Sequence, residues 1–322
     1  MIWGDDGEVS SFADRWSGGM DHYVGWLKER IEEIWRTLKK TGSLYVHCDW
    51  HADAYIRVHI LEKLGGVFVN NVVWKRTNAH NDAKRKLPII IDTIFIYSKG
   101  NDFTYTPIYG ELKKEYIENF YKYEDEKGVY RLDNLANTRF GGYNYAYKGY
   151  KPNSNGWRCP LKKMEELDRA GLLKFPKSPD GRIVLKRYLD DSKGTLQGNL
   201  WDDIPPVGSR AKERIGYPTQ KPLTLMERII KASSNEGDVV LDAFCGGGTT
   251  LVAAQKLNRN FIGIDQSVRA IAVSQARLEK SSDLFSLPFT IEQHKYNRDH
   301  LLNMDAFKFE QFILLKHSYI KK

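Results

Sequence analysis

Cysteine is scarce. The 322 residues hold three, Cys48, Cys159 and Cys245, spaced neither like a zinc site nor like a disulfide scaffold. That excludes a small cross-linked secreted fold and suits a chain working in a reducing, cytoplasmic setting. Long apolar runs are also missing: no stretch approaches the ~20 residues that cross a bilayer. There is no signal-peptide pattern either, so no membrane is expected among the partners. No internal repeat stands out. His47, Cys48, Asp49 and His51 crowd together, yet a strand sends successive side chains to opposite faces. Zinc ligands also come in more widely separated pairs, so no metal is expected.

What the chain has is charge and a core. Hydrophobic residues make up 41%, enough for a packed soluble domain of α/β size. The formal net charge of +8 favours a polyanionic partner, although a generic basic protein is the plainer reading of that number.

The most informative stretch is Val239-Val-Leu-Asp-Ala-Phe-Cys-Gly-Gly-Gly-Thr-Thr250, followed by Phe261-Ile-Gly-Ile-Asp265. It reads as strand, glycine turn, helix, strand. Val239 to Leu241 form a short apolar run of the kind buried in a parallel sheet. Gly246 to Gly248 permit a sharp turn and a close ligand approach. Leu251, Ala254 and Leu257 keep helical spacing, and Asn258 is the expected stop. Asp265 lies about twenty residues beyond the turn, where nucleotide-binding βαβ units place the carboxylate that holds a ribose. Leu251 occupies the position where a dinucleotide fingerprint needs a third small residue. Asp242 opens the turn with an acid, which suits an ammonium or sulfonium ligand better than a pyrophosphate.

With Tyr217-Pro-Thr-Gln-Lys-Pro222 upstream, these pieces resemble the S-adenosylmethionine site of β-class DNA amino-methyltransferases, which methylate adenine N6 or cytosine N4. The resemblance runs over roughly residues 1–280. It implies an α/β fold, a Rossmann-like doubly wound mixed sheet with an inserted target-recognition region. Residues 1–99 would form the N-terminal part of the catalytic domain, 100–214 the DNA-binding insertion and 215–282 the cofactor-binding part. Residues 283–322 would be a tail, either the start of a nuclease-like domain or an added packing helix over 301–315. The implied cofactor residues are Thr219, Lys221, Asp242, Phe244, Gly246, Gly248, Thr249 and Asp265. Double-stranded DNA is the implied partner, with a restriction endonuclease or a second copy of the chain as further ones.

Between the motifs, residues 21–40 carry Tyr23, Leu27, Ile31, Ile34 and Leu38 at helical steps. Residues 43–48 read as a buried strand whose end places His47, Asp49 and His51 at the target-base pocket, or merely at the start of a helix over 52–64. Strands are expected over 67–74 and 89–98. The linker between them is basic: Lys75, Arg76, Lys84, Arg85 and Lys86 suit phosphate contacts, or simply a solvated loop. Beyond Gly100 tyrosines crowd in, with helical patches at 113–123 and 160–170. Tyr145, Tyr147, Lys148, Lys151 and Arg158 interleave aromatic and basic residues as nucleic-acid surfaces do, though tyrosine-rich cores look similar. Pro222 suits the first turn of a helix over 223–233, with Thr219 as its cap.

One element is missing. The family activates the base amine with an Asp/Ser/Asn-Pro-Pro-aromatic motif at a strand end, and the sequence lacks it. The nearest string, Asp203-Ile-Pro-Pro-Val207, has an inserted isoleucine and no aromatic. In relatives the motif precedes the segment resembling residues 1–16. Two expectations follow: a DNA methyltransferase, adenine N6 favoured, whose first strand lies upstream; or a cofactor- and DNA-binding fragment without turnover. A small-molecule methyltransferase is disfavoured by the aromatic-basic insertion.

Overall fold

Helix α1, Gly19–Thr37, forms where the three- and four-residue apolar spacing requires it and buries Val24, Leu27 and Ile31. The computed structural model describes residues 19–79, 85, 87–178, 181–217, 219–281 and 288–292, in two units divided after Ser281. The expectations for residues 1–16, Lys84, Lys86 and the tail helix over 301–315 lie outside the described residues. Among those described, no helix is long and apolar enough to cross a membrane.

Strand β1, Ser43–Cys48, follows α1, then α2, Asp53–His59, then β2, Val67–Lys75, and β3, Ile91–Ser98. Helix α2 is shorter than expected because the chain tightens into a 3-10 turn over Leu61–Lys63. β3 lies between β1 and β2 and is antiparallel to both. Residues 200–201 add the short parallel edge strand β10 beside β2. One face of this sheet packs on α1 and α2 through Leu27, Ile31, Leu44, Ile56 and Phe95. The other receives helix α5, Leu223–Ser233, whose Leu225 is fully buried against Val72, Trp74, Ile94, Trp201 and Ile204.

The glycine stretch forms β11, Val239–Asp242, and helix α6, Thr249–Lys256, and then returns as β12, Asn260–Gly263. β11 and β12 are parallel, with Val239 opposite Asn260 and Asp242 opposite Gly263. Helix α7, Val268–Ser281, follows, with Ser267 Oγ accepting the Ala270 N–H at 3.3 Å. Asn258 ends α6 in the left-handed region, at φ 57°. α5 reaches across to this layer as well, packing Ile230 on Ala253 and Ala254.

Outside the intervening region, the strands of this α/β fold thus divide between a four-stranded mixed sheet, in the order β1-β3-β2-β10, and the two-stranded β11-β12 sheet. β1 and β11 each have one neighbouring strand among the described residues. The apolar run expected to be buried is therefore only partly so: Val239 and Leu241 remain 39% and 37% exposed. A strand flanked on one edge alone cannot reach the burial of a central parallel strand.

The intervening region builds its own core. β4, Tyr109–Gly110, pairs with β9, Thr195–Leu196. Helix α3, Lys114–Phe120, and helix α4, Leu161–Arg169, match the two helical patches. Strands β5 (Tyr123–Asp125), β6 (Gly128–Asn134), β7 (Leu173–Lys174) and β8 (Val184–Tyr188) form an antiparallel sheet ordered β5-β6-β8-β7. Leu135, Tyr147, Trp157, Met164, Ile183 and Leu185 fill the space beneath it.

Candidate cofactor and nucleic-acid site

The turn after β11 is held from three sides. Asp242 Oδ1 accepts the Phe244 N–H at 3.0 Å, and the Cys245 N–H reaches the Ile264 carbonyl at 3.0 Å. Asp265 then closes the turn: Oδ2 accepts from Gly246 N at 2.9 Å and Oδ1 from Ser267 N at 2.8 Å. Both carboxylate oxygens keep a lone pair for a further donor. Burial pushes the Asp242 carboxyl up, against the pull of the Thr250 hydroxyl and the Phe244 N–H. Burial, then Asp242 and Asp265, push the Cys245 thiol up to about 12, so it is no nucleophile.

The glycines are needed, but largely by the protein itself. A Cβ on Gly247 would stand 2.7 Å from Ile215 Cδ1, and one on Gly248 2.6 Å from Ser274 Oγ. Gly246, at φ 49°, lies under the Tyr217 ring. The Tyr217–Pro222 segment is thereby folded onto the turn. Its Gln220 is clamped, accepting from Ile215 N at 3.0 Å and donating to the Glu213 carbonyl at 2.7 Å. Glu213 Oε2 accepts from Leu223 N at 3.0 Å and so caps α5, the role expected of Thr219. Thr219 has a left-handed backbone, φ 62°, that turns its carbonyl towards Lys221 Nζ at 3.2 Å instead.

Thr249 is turned inward. It is buried and accepts Arg277 Nη1 at 3.0 Å, because the first turn of α6 faces α7 rather than the crevice. Arg277 also donates to the Gly247 carbonyl and Ser274 to the Gly246 carbonyl at 2.9 Å. Phe244 is half exposed, with its ring 5.8 Å from that of Trp26 on α1. Glu213, Tyr217, Gln220, Ser274 and Arg277 escaped the sequence reading. Tyr217 and Gln220 stood inside the quoted motif, whereas Arg277 carries no local signal.

His47, Asp49 and His51 do not form one group. His47 Nε2 meets Asp92 Oδ2 at 2.9 Å, on the α5 side of β1, with its ring edge-on to Trp74. Burial holds His47 below the ordinary imidazole value, despite its bond to Asp92. Arg76 Nε lies 3.1 Å from Asp92 Oδ1. Lys221 is close enough for Asp92 to raise and Arg76 to lower its pKa, though burial, which lowers it, dominates. Asp49 instead turns to His51, accepting its N–H at 3.0 Å and meeting its Nδ1 at 2.8 Å, while Trp50 stacks on the ring. That is a turn leading into α2.

Among the DNA candidates the tyrosines are engaged within the protein. Tyr145 donates to the Cys159 carbonyl at 2.9 Å and Tyr147 to Asp168 at 2.7 Å; both rings line the second core. Burial, then the bond to Asp168, push Tyr147 up to about 12. Lys148 is tied to the same Asp168. Lys75 is half-buried, while Arg85, Lys151 and much of Arg158 remain exposed.

A family model described as DNA methylase (N6_N4_Mtase) matches residues 10–276. The type II methyltransferase M.EcaI of Enterobacter cloacae is 29% identical over 252 residues, covering 77% of this chain and 55% of that protein. The type II methyltransferase M1.MboII of Moraxella bovis is 29% identical over 242 residues, covering 75% and 74%. A structure from Thermus thermophilus, a putative DNA modification methylase complexed with S-adenosyl-L-methionine, aligns over 84% of each chain at 20% identity and TM-score 0.45. The chain thus spans about half the length of the first of these relatives. With a family model matched over most of its length, the chain belongs to the DNA methylase (N6_N4_Mtase) family.

Proposed function

We propose that this chain binds S-adenosylmethionine at the β11 turn and serves methyl transfer to an exocyclic amine of DNA, adenine N6 in preference to cytosine N4, within restriction-modification. The observation that carries the reading is Asp265. It fixes the glycine turn through two backbone N–H groups and still has lone pairs for the vicinal hydroxyls of a ribose. The donor set fits the ligand: Asp242 offers a carboxylate beside the turn to a sulfonium, and Lys221 a cation to an α-carboxylate. When bound, the cofactor supplies an electrophilic methyl group. The protein's part is to orient the amine, exclude water and accept the amine proton.

The described residues hold no group placed for that last task. We place it on a further strand beside β1 or β11, each of which has one strand neighbour among the described residues. α5 packs on both sheets and would floor such a strand. The same observation equally favours a second reading, in which this chain alone binds cofactor and DNA without turnover. Calorimetry with S-adenosylmethionine tests the first part, and no binding would sink it. Tritiated methyl transfer to mixed-sequence DNA, by this chain and by a version extended upstream through an Asp-Pro-Pro-Tyr-like strand, tests the second. Equal turnover by both would show the acceptors to be misplaced.

A further inference from the structure

Residues 134–164 contain six basic side chains, Arg139, Lys148, Lys151, Arg158, Lys162 and Lys163, and no acid. In their midst residues 138–141 leave the body as a short loop. Its feet are fixed: Asn137 N donates to the Gly156 carbonyl at 2.8 Å, Gly142 N to Asn155 O at 3.0 Å, and Tyr143 and Trp157 exchange both backbone bonds. Asn153 Nδ2 adds a bond to the Asn137 carbonyl at 3.1 Å. The two sides of the base are pressed backbone to backbone, since a Cβ on Gly142 would stand 2.2 Å from the Asn155 carbonyl. Below them Trp157 is buried and donates Nε1 to the Tyr145 carbonyl at 2.9 Å. At the tip, beside exposed Arg139, Phe140 is 91% exposed.

Singly exposed apolar side chains are ordinary. Phe140 differs in being raised on a braced loop in a stretch whose own charged side chains are all basic, although Asp168 holds Lys148 and Asp133 lies 3.9 Å from Arg158. A lipid or protein partner would use the ring as part of a wider apolar patch. A polyanion with flat, stackable groups matches one ring among cations. We propose that Phe140 is a wedge that enters duplex DNA and stacks in the space a base vacates, with Arg139 and Arg158 against the flanking phosphates. The inference rests on the DNA reading above and adds to it the side chain that opens the stack.

The test measures affinity of the whole chain for a short mixed-sequence duplex, intact or carrying one central abasic site, by fluorescence anisotropy. An abasic site has already lost the stacking that a wedge must break. The native protein is expected to prefer the abasic duplex about ten-fold, Phe140→Ala to lose that preference, and Phe140→Trp to retain it. Unchanged S-adenosylmethionine binding in both variants reports an intact fold. A preference that survives in Phe140→Ala, or equal weakening on both duplexes, overturns the wedge and leaves DNA binding standing. Failure of the native protein to bind either duplex removes the wedge together with the DNA reading.

Discussion

Replacing Asp265 by alanine separates two roles that one carboxylate holds. In the free protein the substitution deletes the acceptors of Gly246 N and Ser267 N, at 2.9 and 2.8 Å. Hydrogen bonds to a charged acceptor contribute about 1.5–3 kcal/mol each. Because Asp265 is half-buried, solvent replaces part of each, and about 2–4 kcal/mol of stability should be lost in total. Binding should weaken by a further ~1.5–3 kcal/mol if the same oxygens also take the ribose hydroxyls. Asp265→Asn keeps one acceptor oxygen but turns an N–H₂ towards the other amide, so it should fall between the native protein and alanine. Hydrogen exchange at Gly246 and Ser267 reads the first role and calorimetry with S-adenosylmethionine the second. Faster exchange with unchanged affinity would leave Asp265 a structural clamp only. Unchanged exchange and unchanged affinity together would refute the whole account of the turn.

Three further outcomes follow from charge. Burial raises the Asp242 carboxyl, so a preference for sulfonium S-adenosylmethionine over the neutral thioether S-adenosylhomocysteine should be present above that raised pKa and fade as pH falls through it. Unit charges ~6 Å apart at an effective dielectric of about 20 interact by ~3 kcal/mol, and calorimetry across pH should show Asp242→Asn without the trend. His47 is held below its usual 6.5. The unfolded chain then protonates first, so this share of stability is complete above about 6.5 and drains as pH falls towards the folded value. Thermal melting should show His47→Gln with a flatter acid limb, and an unchanged limb would discard the assignment. Replacing Lys84, Arg85 and Lys86 by alanine should weaken DNA binding and flatten its salt slope by up to ~0.9 per lost phosphate contact; an unchanged slope would return the loop to the solvated reading.

The glycine turn was legible because its signals are local. Gly246–Gly248 and Asp265 lie within one βαβ unit, and α1 and α4 announce themselves by apolar period. Long-range choices were not legible. Alternation puts Tyr145 and Tyr147 on one side of their chain, yet nothing local says that Trp157 and Met164 cover that side. The cap of α5 passed from Thr219 to Glu213 because a left-handed turn at Thr219 moves its side chain out of range. His47, Asp49 and His51 were expected at one pocket by proximity, but Asp92, on β3, claims the first. That pairing depends on a strand register no single sequence reveals.

That β1 and β11 each have one strand neighbour among the described residues also bears on how this protein behaves in concentrated solution. Where no strand among the described residues pairs with it, an edge beside half-exposed Val239 and Leu241 is a template on which another molecule's strand can grow. β11 presents only four residues, which limits the length of any such ladder. β1 offers six, four of them Leu44, Tyr45, Val46 and Cys48, a composition that favours sticking over solvation. Handled without a cover for those edges, the chain should precipitate more readily than its net charge of +8 would suggest.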